Sequence, residues 1–279
     1  MGKWNSPERI AARYNRTTKK DNLNRLLADS DGLFFNHNGI TLPGERIGSY
    51  YRRSAANEKA MLNELHRLEE NLVLFGMQFL PKKSSKPGLD AGCSAGGGSI
   101  MIHEKLGLKM EGINLSGDQI KYATLAARKF GISSKVKFWV GDMTNVDRPD
   151  NYYSFIWACE SSEHVSDLDK MFREFSRITE KGGKIVLIAW IAVDPKLKRT
   201  IDASYYTDIH TKKQYLSYAK KNGWKFVKAI NLGKNTARYW KLRSQAKHAS
   251  GSEKFMTPGF ASGRLGYWLM VFENTKGKL

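Results

Sequence analysis

Cysteine, proline and acid are all scarce in this chain. Its 279 residues include only Cys93 and Cys159, each inside an apolar strand-like run. That excludes a disulfide-stapled secreted scaffold and predicts free thiols in a reducing cytoplasm. Only 7 prolines occur, with 41% hydrophobic and 26% charged residues, which excludes a collagenous, low-complexity or disordered chain. No apolar run approaches the roughly 20 residues of a membrane span, so no membrane partner is expected. The first residues, Met1-Gly2-Lys3-Trp4-Asn5-Ser6-Pro7-Glu8, carry neither an apolar signal core nor an Arg/Ser-rich transit pattern, and a cytoplasmic location is expected. Acid is short because 27 Asp and Glu face 46 Lys and Arg, a net charge of +19. Such an excess favours nucleic acid, anionic lipid or a phosphorylated small molecule, and charge alone does not choose among them.

What is present is enough for one main domain with a smaller appendage. Residues 1–56 are polar and irregular, with a basic start (Arg13, Arg16, Lys19, Lys20) and an aromatic cluster at Phe34 and Phe35; they read as an ordered lid. From Glu58 the residues Met61, Leu65, Leu68, Leu72, Phe75 and Phe79 recur in steps of four and three, the stripe of an amphipathic helix ending at Pro81. A short linker follows. Strands are predicted at 88–93, 109–115, 135–140, 154–159 and 184–191, with helices at 99–106, 117–130 and 168–178 between them. This alternation predicts an α/β fold, a mostly parallel sheet whose ligand crevice lies at the strand carboxyl ends. Beyond Ala192 come a polar and aromatic insertion, a helix at 212–222, a strand at 224–232, a second insertion and a last strand at 266–272. The two late strands suit an antiparallel hairpin at the sheet edge. The expected division is 1–81 for the lid and its helix and 82–279 for the main domain, with capping insertions near 192–211 and 233–263.

The segment Leu89-Asp90-Ala91-Gly92-Cys93-Ser94-Ala95-Gly96-Gly97-Gly98-Ser99 is a strand, a glycine turn and a helix start. It is neither the G-x-G-x-x-G of a dinucleotide loop nor a P-loop ending in Gly-Lys-Ser/Thr. It resembles motif I of the class I S-adenosylmethionine-dependent methyltransferases, with Ser94 departing from the usual D-x-G-x-G-x-G. The resemblance implies that Asp90 holds the ammonium group of the cofactor and that Gly92 and Gly96 let the backbone approach it. A tight turn with no ligand is the alternative. Glu111-Gly112-Ile113-Asn114-Leu115-Ser116-Gly117-Asp118-Gln119 resembles the ribose-binding motif of a subgroup in which a polar residue replaces the ribose acid. Asn114, Leu115 and Gln119 become cofactor candidates, while Ser116 is also a helix N-cap. Gly141-Asp142-Met143 ends the third strand where adenine would lie, and Asp142 also suits a turn.

The run Phe155-Ile156-Trp157-Ala158-Cys159-Glu160 ends an apolar strand in an acid. Glu160 would sit in the crevice, partly desolvated and able to act as a general base, or else favour a helix start through the dipole. Glu163 and His164 read as a solvated helix start. No N/D-P-P-Y and no Pro-Cys pair occurs here, which counts against methylation of a nucleic-acid base.

The segments at Asp31 to Ile40, Glu64 to Glu69, Glu160-Ser161, Asp208-Ile209-His210 and Tyr239-Trp240-x-Leu242-Arg243 together resemble the geranyl diphosphate C-methyltransferase family of terpene biosynthesis. The resemblance runs from about Asn24 to the C-terminus. It implies a homo-oligomeric enzyme that methylates an alkene carbon of a geranyl, isopentenyl or farnesyl diphosphate, with Glu160 deprotonating the carbocation. It further implies S-adenosylmethionine as methyl donor and Mg²⁺ accompanying the diphosphate. Phe34, His37, Tyr205 and His210 become substrate candidates. Tyr205 stands where the family has phenylalanine, and its ring would stabilise a cation by about 2 kcal/mol when desolvated, or else cover the insertion's own small core. His66 with Glu69 or Glu70 has helical spacing suited to a cation, and equally to a solvated face, so no metal ligand is assigned. Two alternatives stand beside this reading. One is a C-methyltransferase of a prenylated aromatic or other hydrophobic metabolite. The other is a phosphate-binding nucleic-acid protein on the same fold, ranked lower because no basic low-complexity tail is present.

Overall fold

The computed structural model describes residues 5–19, 21–47 and 55–276. Lys20, part of the expected basic start, lies outside them. In chain order the elements are α1 (Pro7–Asn15), a single 3-10 turn (Arg16–Thr18), α2 (Leu23–Leu27), α3 (Ala55–Met77), β1 (Gly88–Ala91), α4 (Gly97–Leu106) and β2 (Met110–Asn114). Then follow α5 (Gly117–Lys129), β3 (Val136–Val140), β4 (Tyr153–Cys159), α6 (Leu168–Ile178) and β5 (Thr179–Ala192). The chain continues through α7 (Pro195–Tyr205), α8 (Lys212–Lys221), β6 (Trp224–Asn231), α9 (Gly233–Arg243), α10 (Glu253–Ser262) and β7 (Leu265–Asn274).

The strands form one sheet in the order β3-β2-β1-β4-β5-β7-β6. The pairs among β1 to β5 are parallel, and β7 runs antiparallel to both β5 and β6. The expected fold and the antiparallel late strands are therefore as observed. Period-two alternation assigns the faces. On β5, Val186, Ile188 and Trp190 join the larger apolar cluster with α3, α4, α9 and α10, while Ile185, Leu187, Ala189 and Ile191 face α6 and α8. On β7, Tyr267, Leu269 and Val271 share the first face, and Met270 and Phe272 the second.

Three regions differ from expectation. The N-terminal region is not irregular, since Ser6 caps α1 with Pro7 in its first turn, and Asn22 caps α2. Both helices bury few residues, so they leave no hydrophobic stripe in the sequence. Leu23, Leu27, Phe35 and Ile40 pack in the same cluster as Leu65 and Leu68 of α3. Next, the insertions are helical: Asp194 accepts from the backbone N–H groups of Lys196 and Leu197 to start α7, and α9 and α10 pack on β7. Finally, the strand predicted at 184–191 begins at Thr179, so that Lys181-Gly182-Gly183 lie inside β5, where Gly182 takes φ +79° and the register against β4 shifts. Among the described residues no helix is long and apolar enough to cross a membrane.

Candidate active site

Two cavities meet at the carboxyl end of β4. The first, about 360 Å³, is bounded by the turn after β1, the ends of β2 and β3, and α1 above. The second, about 280 Å³, lies under α1, α7 and α9. Tyr14, Asn36, His37, Glu160 and His164 line both and form the wall between them.

The first cavity gathers Asp90, Gly92, Asn114, Leu115, Gln119, Asp142 and Met143, all expected at a cofactor. Asp90 is buried and accepts from Ser99 Oγ at 2.7 Å, with no cation beside it among the described residues. Burial lifts its carboxyl to about 7 against the hydrogen bond from Ser99, and a ligand ammonium fits this unneutralised acid. Gly92 takes φ +86°, and a Cβ there would meet Ser161 Cβ at 2.3 Å. Gly96 does not line the cavity. Its φ of +88° and the 2.7 Å approach of Phe138 to a Cβ there make it the residue that shapes the turn.

Asn114 donates to Gln119 Oε1 at 2.6 Å, and Gln119 Nε2 donates to Thr17 Oγ1 at 2.9 Å, which ties the ribose candidates to the N-terminal segment. Ser116 caps α5, as read from the sequence, and also donates to Asn15 Oδ1 at 2.6 Å. Asp142 Oδ1 accepts from the backbone and hydroxyl of Thr144, the expected turn.

Glu160 follows β4 with φ +49°, in the left-handed region. Its Oε1 accepts from the Asn38 backbone N–H at 2.7 Å and from the Tyr267 hydroxyl at 2.5 Å. Burial first, and then the charge of Glu163, raise its carboxyl to about 8 despite these bonds. Glu163 and His164 are not the solvated helix start that the sequence suggests. Glu163 is 2% exposed and accepts from the Trp190 N–H at 2.7 Å, and burial lifts it to about 7. His164 Nδ1 donates to the Tyr206 carbonyl at 3.0 Å, so its Nε2 accepts from Tyr14 Oη at 2.7 Å. Burial lowers its imidazole to about 4 and keeps it neutral. The sequence misses this pair because three residues of 3-10 helix dip under β5 instead of emerging into solvent.

The second cavity is walled by Tyr205, Trp190, Tyr239 and Trp240 and carries Arg13, Arg16, Arg243 and His248. Tyr205 meets Trp190 edge-on at 5.1 Å, and the Arg13 guanidinium lies 4.6 Å over its ring. Arg243 donates to Tyr239 Oη and Asn24 Oδ1, and Tyr239 donates to Glu69 Oε1 at 2.7 Å. Sequence reasoning missed Tyr14, Arg13 and Tyr267. Helical spacing does align Tyr239 with Arg243, but nothing local pairs Tyr267 with Trp190 across the sheet.

Two substrate candidates lie elsewhere than expected. Phe34 lines the first cavity, not the second, and stacks edge-on with Tyr122 at 5.2 Å. His210 lines neither, because its Nε2 donates to the Val165 carbonyl at 2.7 Å. His37 lines both, its Nδ1 donating to the Asn38 carbonyl. His66 is buried in an ion pair. Its Nε2 donates to Asp31 at 3.0 Å, and Asp31 and Glu69 outweigh burial to hold it near 10. Ligand atoms of Asp31, His66 and Glu70 group within 4.8 Å of one another, and none of the three lines either cavity.

The Methyltransferase domain family matches residues 89–187. A geranyl diphosphate 2-C-methyltransferase of Saccharopolyspora erythraea is 32% identical, over 94% of this chain and 92% of its own length. The one of Streptomyces ambofaciens is also 32% identical, over 94% of this chain and 91% of its own. The structure of geranyl diphosphate C-methyltransferase from Streptomyces coelicolor in complex with Mg²⁺, geranyl-S-thiolodiphosphate and S-adenosyl-L-homocysteine superposes with a TM-score of 0.89. It is 29% identical, and the match covers 96% of this chain and 98% of that one. By identity and coverage together, the chain belongs to the geranyl diphosphate 2-C-methyltransferase family and is a C-methyltransferase.

Proposed function

We propose that the chain transfers the methyl group of S-adenosylmethionine to an alkene carbon of a prenyl diphosphate, with Glu160 as the base. The observation that supports this most is the shared wall: Glu160 borders both a cavity suited to the cofactor and a cationic, aromatic one suited to the substrate. S-adenosylmethionine supplies an electrophilic methyl when bound. The alkene π pair forms the new C–C bond as the C–S bond breaks, which leaves a tertiary cation and neutral S-adenosylhomocysteine. Glu160 then takes the adjacent proton, and the C–H pair restores the double bond. Asp90 would hold the ammonium group, Asn114 and Gln119 the ribose, and Asp142 and Met143 the adenine. Arg13, Arg16, Arg243 and His248 would meet the diphosphate. Mg²⁺ belongs with that diphosphate, and Asp21, which lines the same cavity, would offer it a hard carboxylate oxygen. The Tyr205 ring would face the cation.

In this reading residues 1–81 act as lid and residues 82–279 as the catalytic domain, in a cytoplasmic homo-oligomer whose size light scattering would give. The test is incubation with S-adenosylmethionine, Mg²⁺ and, separately, isopentenyl, dimethylallyl, geranyl and farnesyl diphosphates. One added methylene by mass spectrometry is expected with one of them. No product with any, alongside measurable cofactor binding, would overturn the diphosphate in favour of a prenylated metabolite.

A further inference from the structure

Among the described residues four non-glycines hold φ in the left-handed region: Ser94, Asn151, Glu160 and Tyr206. Asn151 is a residue type that tolerates it. Glu160 and Tyr206 both serve the site, the first by its carboxylate and the second by the carbonyl that orients His164. Ser94, at φ +50° in the turn between β1 and α4, has no such role yet.

Glycine would occupy that conformation freely, whereas a serine holds it under strain. Its Oγ is also buried without a hydrogen-bond partner, although Ser94 lines the first cavity. A strained backbone and an unpaired hydroxyl are both unfavourable in the free protein, and a polar ligand in the cavity would relieve the second. The main chain indicates which part of the ligand. The Ser94 carbonyl lies 3.5 Å from Asn114 Nδ2, and Asn114 is bonded in turn to Gln119. Ser94 therefore stands with the two side chains assigned to the ribose.

We propose that Ser94 is a further cofactor-binding residue whose hydroxyl hydrogen-bonds a ribose hydroxyl of S-adenosylmethionine. This rests on the reading of the first cavity as the cofactor site. Titration calorimetry on the full chain, wild type and Ser94→Gly, with S-adenosylhomocysteine and with 5′-methylthioadenosine, tests it. Glycine suits φ +50°, so the variant should fold and keep its Tm. Loss of one neutral hydrogen bond should raise Kd roughly three- to tenfold for both ligands, since both carry the ribose. Ser94→Ala should weaken both to the same extent. Equal Kd values in wild type and variants overturn the proposal and leave the cofactor site standing. Weakening for S-adenosylhomocysteine alone moves the contact to the amino-acid end and overturns the ribose assignment. A wild type that binds neither ligand overturns the reading of the cavity itself.

Discussion

Tyr267 donates its phenolic hydrogen to Glu160 Oε1 across 2.5 Å, from a strand that pairs Tyr267 with Trp190. The same oxygen accepts from the Asn38 N–H. Two donors on one carboxylate oxygen fix its orientation, and both favour the ionised form against the burial that opposes it.

Replacing Glu160 by Gln should lower kcat by roughly 10²–10⁴-fold, the usual range for a positioned proton acceptor. S-adenosylhomocysteine should bind the variant as tightly as wild type in calorimetry, since the proposed role of Glu160 is toward the substrate's proton and not toward the cofactor. Retention of full turnover would exclude Glu160 as the base.

The pH profile should carry the raised carboxyl. Only ionised Glu160 accepts a proton, so kcat/KM should fall as pH drops through about 8 in the free enzyme. Removing the Tyr267 hydroxyl takes away a bond to the carboxylate, so Tyr267→Phe should move that limb to higher pH. A limb in the ordinary carboxylate range in both proteins would contradict the burial argument.

Cofactor affinity should depend on pH through Asp90. If Asp90 holds the ammonium group as proposed, the ionised carboxyl is the binding form, so Kd for S-adenosylhomocysteine should rise as pH falls below about 7. Asp90→Asn should weaken binding at pH 8 and flatten this dependence, which calorimetry at several pH values would read.

Stability of the ligand-free protein should run the opposite way. Asp90 near 7, Glu160 near 8 and Glu163 near 7 bind protons more tightly folded than unfolded. Their contribution is therefore full below about pH 4 and lost as pH rises towards 8. His164, near 4 when folded, has the reverse sign and gains stability between about 4 and 6.5. His37 and His210, lowered by burial, share that sign, whereas His66, held near 10, loses its contribution together with the carboxyls as pH rises past about 6.5. The carboxyls and His66 outweigh these imidazoles, so Tm should decline from pH 5 to 8. A rising Tm over that range would mean that these acids are solvated.

At Tyr205, Phe should preserve turnover because the ring survives, whereas Ala should lower kcat by roughly 30-fold if a desolvated cation–π contact of about 2 kcal/mol is lost. Equal activity of both variants would assign Tyr205 to packing alone.

The sheet and the cofactor half were legible because their signals are local. Asp90, Asn114 and Asp142 each lie within two residues of the carboxyl end of a strand, and strand ends in a parallel sheet converge on one crevice. The substrate half was legible only in pieces. Tyr239 and Arg243 share a helix face by spacing, but His210 was drawn into the site by its motif when it satisfies the Val165 carbonyl instead. Glu163 looks exposed in sequence because a charge before a helix normally is. The N–H of Trp190, beyond the reach of any local pattern, is what buries it.

Asn38 and Tyr267 come from opposite ends of the chain, and both close on Glu160. β7 lies between β5 and β6, so β6 has no neighbour in the sheet until β7 is in place. Every residue assigned to the cofactor precedes Tyr267, the second donor, in the chain. β7 thus joins two tasks in one strand, since without Leu265–Asn274 the base would keep a single donor and β6 would have no partner in the sheet.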